Sequence, residues 1–135
     1  MRIYLAGPLF TDGERAFNAA LVRRLEALGH EVFLPQRDVP QDKASGYPAR
    51  IFRADVAGLK RADVVVAVCD GALVDDGTAW EIGFAYARAV PVIGLRTDTR
   101  IANTEERVNL MIQESLAGLV SSVEELLARL ELIDR

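Results

Sequence analysis

Short apolar runs alternate with segments of helical periodicity along the chain. Residues 2–6 form an apolar run closed by Gly7 and Pro8, which is typical of a buried strand that enters a tight loop. From Asp12 onward, apolar residues recur at helical spacing, and the glycine at position 29 indicates the end of that helix. Residues 31–34 are then predicted as the second strand.

The second half of the chain continues this alternation. Residues 35–48 hold three prolines and a glycine without periodicity, which predicts a long loop. Helices are predicted over residues 49–60, 78–89 and 108–116, and strands over residues 62–68, 91–95 and 118–120. A last helix is predicted to open at Ser121, because Ser121-Ser122-Val123-Glu124 has the form of a capping box.

This order of elements predicts a small α/β domain. Strands that alternate with helices form a parallel sheet with right-handed crossovers and helices on both faces, so we expect residues 1–135 to make one doubly wound domain. Such sheets bind ligands outside the carboxyl ends of their strands. Those ends are residues 6–8, 35–37, 69–77 and the segment from residue 96 onward.

Composition narrows the chemistry. The net charge of -4 comes from 16 basic and 20 acidic residues without a basic block, so a nucleic-acid polymer is not expected as a partner. Cys69 and His30 are the only residues of their types, which excludes an internal disulfide and argues against a zinc site or a histidine-dependent triad. No apolar run approaches ~20 residues and the N-terminus lacks signal-peptide features, so we expect a cytoplasmic protein without a membrane partner.

Carboxylates are therefore the groups left for catalysis, and three stand near the predicted start of one helix: Asp75, Asp76 and Glu81. Thr78-Ala79-Trp80-Glu81 fits a capping box, in which Glu81 accepts from the Thr78 amide. The positive helix end also favours an ionised carboxylate, which can attack an anomeric carbon while a second carboxyl group, here Asp75, assists the leaving group. Asp75 and Asp76 also fit an ordinary turn, so both interpretations stay open.

Three more polar residues have ordinary explanations when each is taken alone. Asp55, in a predicted helix, is consistent with a salt bridge to Arg53 or Lys60. Tyr4 lies inside the first strand, where an aromatic residue is usually part of the core, and Asn109 is consistent with a solvated helix residue.

Taken together, four segments resemble the nucleoside 2-deoxyribosyltransferase family. They are IYLAGPLFT at residues 3–11, RADVAGLKRADVVVAV at residues 53–68, DDGTAWEIGFAYA at residues 75–87 and RVNLM at residues 107–111. The resemblance implies a flavodoxin-like doubly wound sheet of five parallel strands. It also implies an enzyme of nucleotide salvage that moves the 2-deoxyribosyl group of a 2'-deoxynucleoside to another purine or pyrimidine base, with no metal or organic cofactor.

The resemblance also implies a role for each matching residue. Glu81 matches the nucleophile that forms a deoxyribosyl ester, and Asp75 matches the acid that contacts the base and assists its departure. Asp55 matches an aspartate of the substrate pocket, and Tyr4 matches a tyrosine that holds the nucleophilic glutamate. Asn109 matches an asparagine that a neighbouring subunit donates to the sugar 5'-hydroxyl, which implies a homo-oligomer.

Further candidates for substrate contact lie at the carboxyl ends of the first two strands. They are Gly7 and Phe10 in the first loop and Gln36 after the second strand. The implied substrates are 2'-deoxynucleosides and free nucleobases, and two successive displacements would retain the configuration of the sugar.

Two other functions stay open. A nucleoside 5'-monophosphate N-glycosidase would share the sheet and the glutamate, but it needs donors for the phosphate, and the first loop, GPLFTDGER, offers one threonine and Arg15. Asn109, in place of a phosphate-binding serine, also favours free nucleosides. The second alternative is a non-catalytic nucleotide-binding module, which has little reason to keep Tyr4, Asp75 and Glu81 together.

Overall fold

A five-stranded sheet forms the centre of the structure, a computed structural model that describes residues 1–101 and 103–135. The strands are β1 (Arg2–Ala6), β2 (Glu31–Phe33), β3 (Val64–Val68), β4 (Val92–Leu95) and β5 (Gly118–Val120). All neighbouring strands are parallel, in the order β2-β1-β3-β4-β5. The chain reverses its direction of growth between β1 and β3, which is where ligands bind in sheets of this order. The predicted flavodoxin-like fold class is confirmed.

Helices cover both faces of the sheet. They are α1 (Asp12–Ala27), α2 (Pro35–Asp38), α3 (Tyr47–Arg61), α4 (Asp76–Ala87), α5 (Leu110–Ser115) and α6 (Val123–Asp134). One core cluster packs α1 and α6 against the sheet, and the other packs α3 and α4, with α5 at its edge. None of the helices in the described part of the chain is both long enough and apolar enough to cross a membrane.

The alternation of side chains along β1 decides which residues can meet. Ile3 and Leu5 lie in the core cluster with α1 and α6, whereas Tyr4 and Ala6 lie in the cluster with α3 and α4. Successive strand residues point to opposite faces of a sheet, so this division follows directly from the strand geometry. Tyr4 is therefore directed toward the layer that holds Asp55 and Glu81.

The predicted long loop over residues 35–48 is wrong at both ends. Pro35 is the first residue of α2. The side chain of Asp38, the last residue of this short helix, accepts a hydrogen bond from the amide of the N-cap residue Leu34 at 2.8 Å. Pro48 lies in the first turn of α3, after Gly46 in the left-handed conformation at φ +77°. Proline is compatible with the first turn of a helix, so two of the three prolines mark helix starts.

Two caps also differ from the prediction. Ser122 rather than Ser121 is the N-cap of α6, since its side chain accepts from the Glu125 amide at 3.1 Å while the Glu125 carboxylate accepts from the Ser121 amide at 2.9 Å. The predicted helix over residues 108–116 is shorter, because the side chain of Asn109 caps α5 by accepting from the Met111 amide at 2.9 Å.

Candidate active site

The start of α4 differs from the predicted capping box. The N-cap is Asp75, whose Oδ2 accepts hydrogen bonds from the amide of Thr78 at 3.0 Å and from its hydroxyl at 3.1 Å. Thr78 is buried in the first turn of the helix instead of preceding it. The cap predicted for Thr78 and Glu81 is therefore wrong, and Glu81 lies in the second turn of α4, where its carboxylate bonds elsewhere.

Tyr4 is the partner of Glu81. The buried hydroxyl of Tyr4 donates a hydrogen bond to Oε2 of Glu81 across the layer between β1 and α4. The ring of Tyr4 stacks on Phe33 with 5.4 Å between the ring centroids, which fixes the position of the hydroxyl. Glu81 is thus held by a donor that belongs to the central sheet rather than to its own helix.

Asp55 faces the same space from α3. We call this space the acidic cavity; its volume is about 360 Å³ and its lining is Phe52, Asp55, Val56, Leu59, Gly77, Trp80 and Glu81. The Oδ1 atom of Asp55 is buried and has no hydrogen-bond partner among the described residues. The possible salt bridge of Asp55 with Arg53 or Lys60 is not formed, and both basic side chains are exposed.

Burial makes the acids of the cavity weak. It raises the pKa of Glu81 from 4.5 to about 7; the hydrogen bond from Tyr4 opposes this rise, and the charges of Asp55 and Asp75 add to it. Burial also raises the pKa of Asp55 to about 6. The pKa of Tyr4 is raised by burial and by both neighbouring carboxylates, so its hydroxyl stays a donor. The cavity therefore holds two carboxyl groups, those of Asp55 and Glu81, whose pKa values lie near neutral pH.

Two aromatic side chains form the mouth of the acidic cavity. Phe52 is 55% exposed and Trp80 is 48% exposed, and their rings meet edge to face with 5.5 Å between the centroids. Trp80 also stacks on Phe84 at 5.4 Å. A flat, apolar rim above carboxyl groups suits a ring compound with polar edges.

Neither aromatic residue was predicted from the sequence to lie at the site, although a signal was present. Phe52 precedes Asp55 by one helical turn, so both lie on one face of α3, and Trp80 directly precedes Glu81. An exposed aromatic residue beside a candidate catalytic carboxylate indicates a binding surface.

Comparison with known proteins decides the family. The family model for nucleoside 2-deoxyribosyltransferase matches residues 3–111, well over half of the chain. The chain belongs to the nucleoside 2-deoxyribosyltransferase family. The predicted family is confirmed, and the protein is an enzyme of the deoxyribosyltransferase family.

Solved structures agree with this assignment. A conserved protein from Enterococcus faecalis V583 is 31% identical over 98% of both chains, with a TM-score of 0.86. The 2-deoxyribosyltransferase of Bacillus psychrosaccharolyticus is 29% identical over 93% of this chain and 90% of its own, with a TM-score of 0.79. A CMP N-glycosidase from Clostridium botulinum is 22% identical over 97% of this chain and 99% of its own, and its TM-score of 0.64 shows a shared fold. No curated protein matches the chain.

Asp75 does not line the acidic cavity itself, but its carboxylate lies beside Gly77, which does: a Cβ on Gly77 would stand 3.3 Å from Oδ2 of Asp75. The other predicted contact residues of this deoxyribosyltransferase-family chain also lie outside the cavity. Gly7 lies where β1 passes close to β3, since a Cβ there would stand 3.1 Å from a β3 side chain. Phe10 is 70% exposed in the first loop. Gln36 is bonded to α1 at both ends of its amide: it donates to the carbonyl of Arg15 at 2.9 Å and accepts from Asn18 at 3.1 Å.

Asn109 is exposed and lies on a different surface from the acidic cavity of its own chain. It lines a larger space of about 680 Å³ between α4 and α5, together with Ile82, Gly83 and Met111 among others. Large exposed apolar side chains surround this space: Tyr86, Leu110 and Met111.

The described residues contain no group of three or more His, Cys, Asp or Glu side chains that could hold a metal ion.

Proposed function

We propose that this enzyme cleaves the N-glycosidic bond of a 2'-deoxynucleoside and transfers the deoxyribosyl group to another purine or pyrimidine base. The observation that carries the proposal is the hydrogen bond from the buried Tyr4 to Glu81, whose side chain lines a cavity together with Asp55. A nucleophilic carboxylate must be oriented and close to a second carboxyl group, and this arrangement meets both needs. Family membership and the Bacillus psychrosaccharolyticus enzyme support the substrate class.

In the first displacement, the ionised carboxylate of Glu81 attacks the anomeric carbon and forms an ester with the sugar. The carbon–nitrogen bond breaks, its electron pair stays on the departing base, and that base takes a proton from a carboxyl group. Asp75 is the carboxyl group that contacts the base and assists its departure, while Asp55 lines the cavity beside Glu81. The rim of Phe52 and Trp80 holds the flat base.

In the second displacement, a nitrogen of the incoming base attacks the same carbon and releases Glu81 as a carboxylate. The incoming base gives its proton to the carboxyl group that lost one in the first step, so the enzyme is restored. Two inversions retain the configuration of the sugar. Tyr4 stays protonated throughout, and its hydrogen bond stabilises the carboxylate each time Glu81 is released.

Asn109 supports an oligomeric enzyme. It lies outside the acidic cavity of its own chain, beside the exposed apolar side chains Tyr86, Leu110 and Met111. In the proposed homo-oligomer, Asn109 of one subunit reaches the sugar 5'-hydroxyl in the cavity of the next. Exposed apolar patches rimmed by polar residues are typical of such interfaces.

A nucleoside 5'-monophosphate N-glycosidase is the alternative, since a CMP N-glycosidase shares the fold. The lining of the acidic cavity contains no lysine or arginine among the described residues. Arg15, near the start of α1, already has partners: its guanidinium donates to the carbonyl of Leu9 at 3.0 Å and to Asp12 at 2.6 Å. An uncharged 5'-hydroxyl fits these surroundings better than a phosphate does.

A transfer assay tests the proposal. The purified protein is incubated with thymidine and adenine, and products are separated by chromatography beside reactions with thymidine 5'-monophosphate alone. We expect thymine and deoxyadenosine from the wild type, none from Glu81→Ala, and wild-type amounts from Glu131→Ala, which changes an exposed glutamate on α6. Cleavage of the monophosphate alone would establish the hydrolase instead. Absence of cleavage across several nucleosides and bases would leave a non-catalytic binding module.

A further inference from the structure

A buried arginine joins two loops at the carboxyl edge of the sheet. Arg96 directly follows β4 and is 4% exposed. One of its guanidinium nitrogens donates to the carbonyls of Cys69 at 2.6 Å and Gly71 at 3.0 Å, in the loop after β3, and another donates to the carbonyl of Arg100 in its own loop. The loop after β3 is the one that ends at Asp75.

Asp70 makes the reciprocal connection. Its Oδ1 accepts from the amides of Thr97 at 2.6 Å and Asp98 at 2.8 Å, and its Oδ2 accepts from the Thr97 hydroxyl at 2.6 Å. Asp98 in turn accepts from the Gly71 amide at 3.3 Å. We call this set of contacts, together with those of Arg96, the loop clamp. It connects the two loops in both directions.

The loop clamp requires the burial of a charged side chain. The guanidinium of Arg96 is buried and donates to backbone carbonyls rather than to a carboxylate, and burying a charge in this way costs more free energy than burying an apolar side chain of similar size. Arginine can bridge several carbonyls because its donors form a rigid planar fork, which lysine lacks. Gly71 allows this arrangement, since its φ of +109° suits glycine.

The loop clamp acts on the chain that leads to Asp75. Only residues 72–74 separate Gly71 from Asp75, and Val74 packs against the core beneath α4. On its other side, Asp75 is bonded to Thr78 in α4. With both ends of this short segment held, the Asp75 carboxylate has a set position relative to Glu81.

We propose that Arg96 and Asp70 are positioning residues that hold the loop after β3 so that Asp75 meets the departing base. The inference rests on the proposed function of Asp75. Neither residue touches the acidic cavity, so they act through the backbone of the loop.

A double-mutant cycle tests this role. Arg96→Lys and Asp70→Ala are each made alone and together with Asp75→Asn, and steady-state release of the base is measured. We expect each single variant to lower kcat about 10-fold, with little change in KM, since small displacements of catalytic groups have effects of this size or larger. In the Asp75→Asn background the same changes should cause no further loss. Losses that multiply, or single variants with wild-type kcat, would overturn the proposal.

Controls separate positioning from general destabilisation. Arg24→Gln removes an arginine outside the loop clamp, which pairs with Glu124 at 2.9 Å on the face of the sheet covered by α1 and α6, and should keep wild-type kcat. Asp70 is partly exposed, so Asp70→Ala tests the loop clamp even where Arg96→Lys does not fold.

A second measurement does not depend on turnover. The charge of Asp75 is one of the causes that raise the pKa of Glu81, so displacement of Asp75 should lower the titration midpoint of the Glu81 carboxyl carbon, measured by NMR and assigned with Glu81→Gln. We expect this in Arg96→Lys and Asp70→Ala but not in Arg24→Gln. If the wild type does not act on deoxynucleosides, the proposed function falls and this titration alone decides: an unchanged midpoint overturns the positioning role.

Discussion

Replacing Glu81 by glutamine should stabilise the folded protein while it abolishes activity. Glutamine keeps the shape of the side chain and its carbonyl oxygen can accept the hydrogen bond from Tyr4, but it cannot ionise. The carboxylate of Glu81 is buried near Asp55 and Asp75, and these surroundings raise its pKa from 4.5 to about 7. The free energy lost by ionising this group in the folded state is therefore removed in the variant.

The size and sign of the effect follow from linkage. A folded-state pKa above the unfolded value means that the folded protein binds the proton more tightly, so stability is lost as pH rises from about 4.5 to about 7. The rise corresponds to about 3 kcal/mol at 1.36 kcal/mol per pKa unit. Glu81→Gln should thus be about 3 kcal/mol more stable than the wild type at pH 8, and this advantage should disappear at pH 4.

Urea denaturation at both pH values measures the difference. Glu131→Gln, which changes an exposed glutamate on α6, serves as the matched control and should leave the midpoint unchanged at pH 8. A Glu81→Gln variant that is less stable than the wild type at pH 8, or whose gain does not depend on pH, would refute the reasoning. Such a result would mean that the Glu81 carboxylate is well solvated in the folded state.

Three further predictions concern the surroundings of Tyr4 and Glu81. Tyr4→Phe removes a hydrogen bond that lowers the pKa of Glu81, so the acidic limb of the rate–pH profile should move to higher pH; an unmoved limb would contradict the contact. Asp75→Ala removes the N-cap of α4 and should lower the free energy of unfolding by ~1 kcal/mol in urea, whereas an unchanged midpoint would mean that water replaces the cap. Gly58→Ala places a Cβ 2.9 Å from the ring of Phe33 and should destabilise the protein by roughly 1–3 kcal/mol in thermal unfolding, unless the ring can move aside.

The sheet could be predicted from sequence because its signals are local. The run of valines that forms β3 is typical of a strand buried on both faces, and the predicted bounds of β1 and β5 match the structure. Gly29 directly follows the C-cap of α1 and has the left-handed conformation, at φ +86°. This is the position at which a glycine indicates the end of a helix. Strand order has no such local signal, since β1 lies between β2 and β3 although β2 and β3 are consecutive in the chain.

The details of the site depend on contacts between distant residues. Asp75 and Thr78 are both good N-cap residues, and the local sequence favours Thr78 because Glu81 follows at the spacing of a capping box. The structure chooses Asp75, since the carboxylate of Glu81 bonds to Tyr4, 77 positions earlier in the chain. Periodicity also could not show that Phe52, on α3, meets Trp80, on α4.

Trp80 gives the protein a built-in optical probe. It is the single tryptophan of the chain, and it lies at the mouth of the acidic cavity with about half of its surface in water. A base that settles against the indole would displace that water and stack on the ring, so its arrival would be visible in the intrinsic fluorescence without any label. Binding of each base could therefore be titrated directly in Glu81→Gln, where no reaction would change the concentrations of the ligands during the measurement.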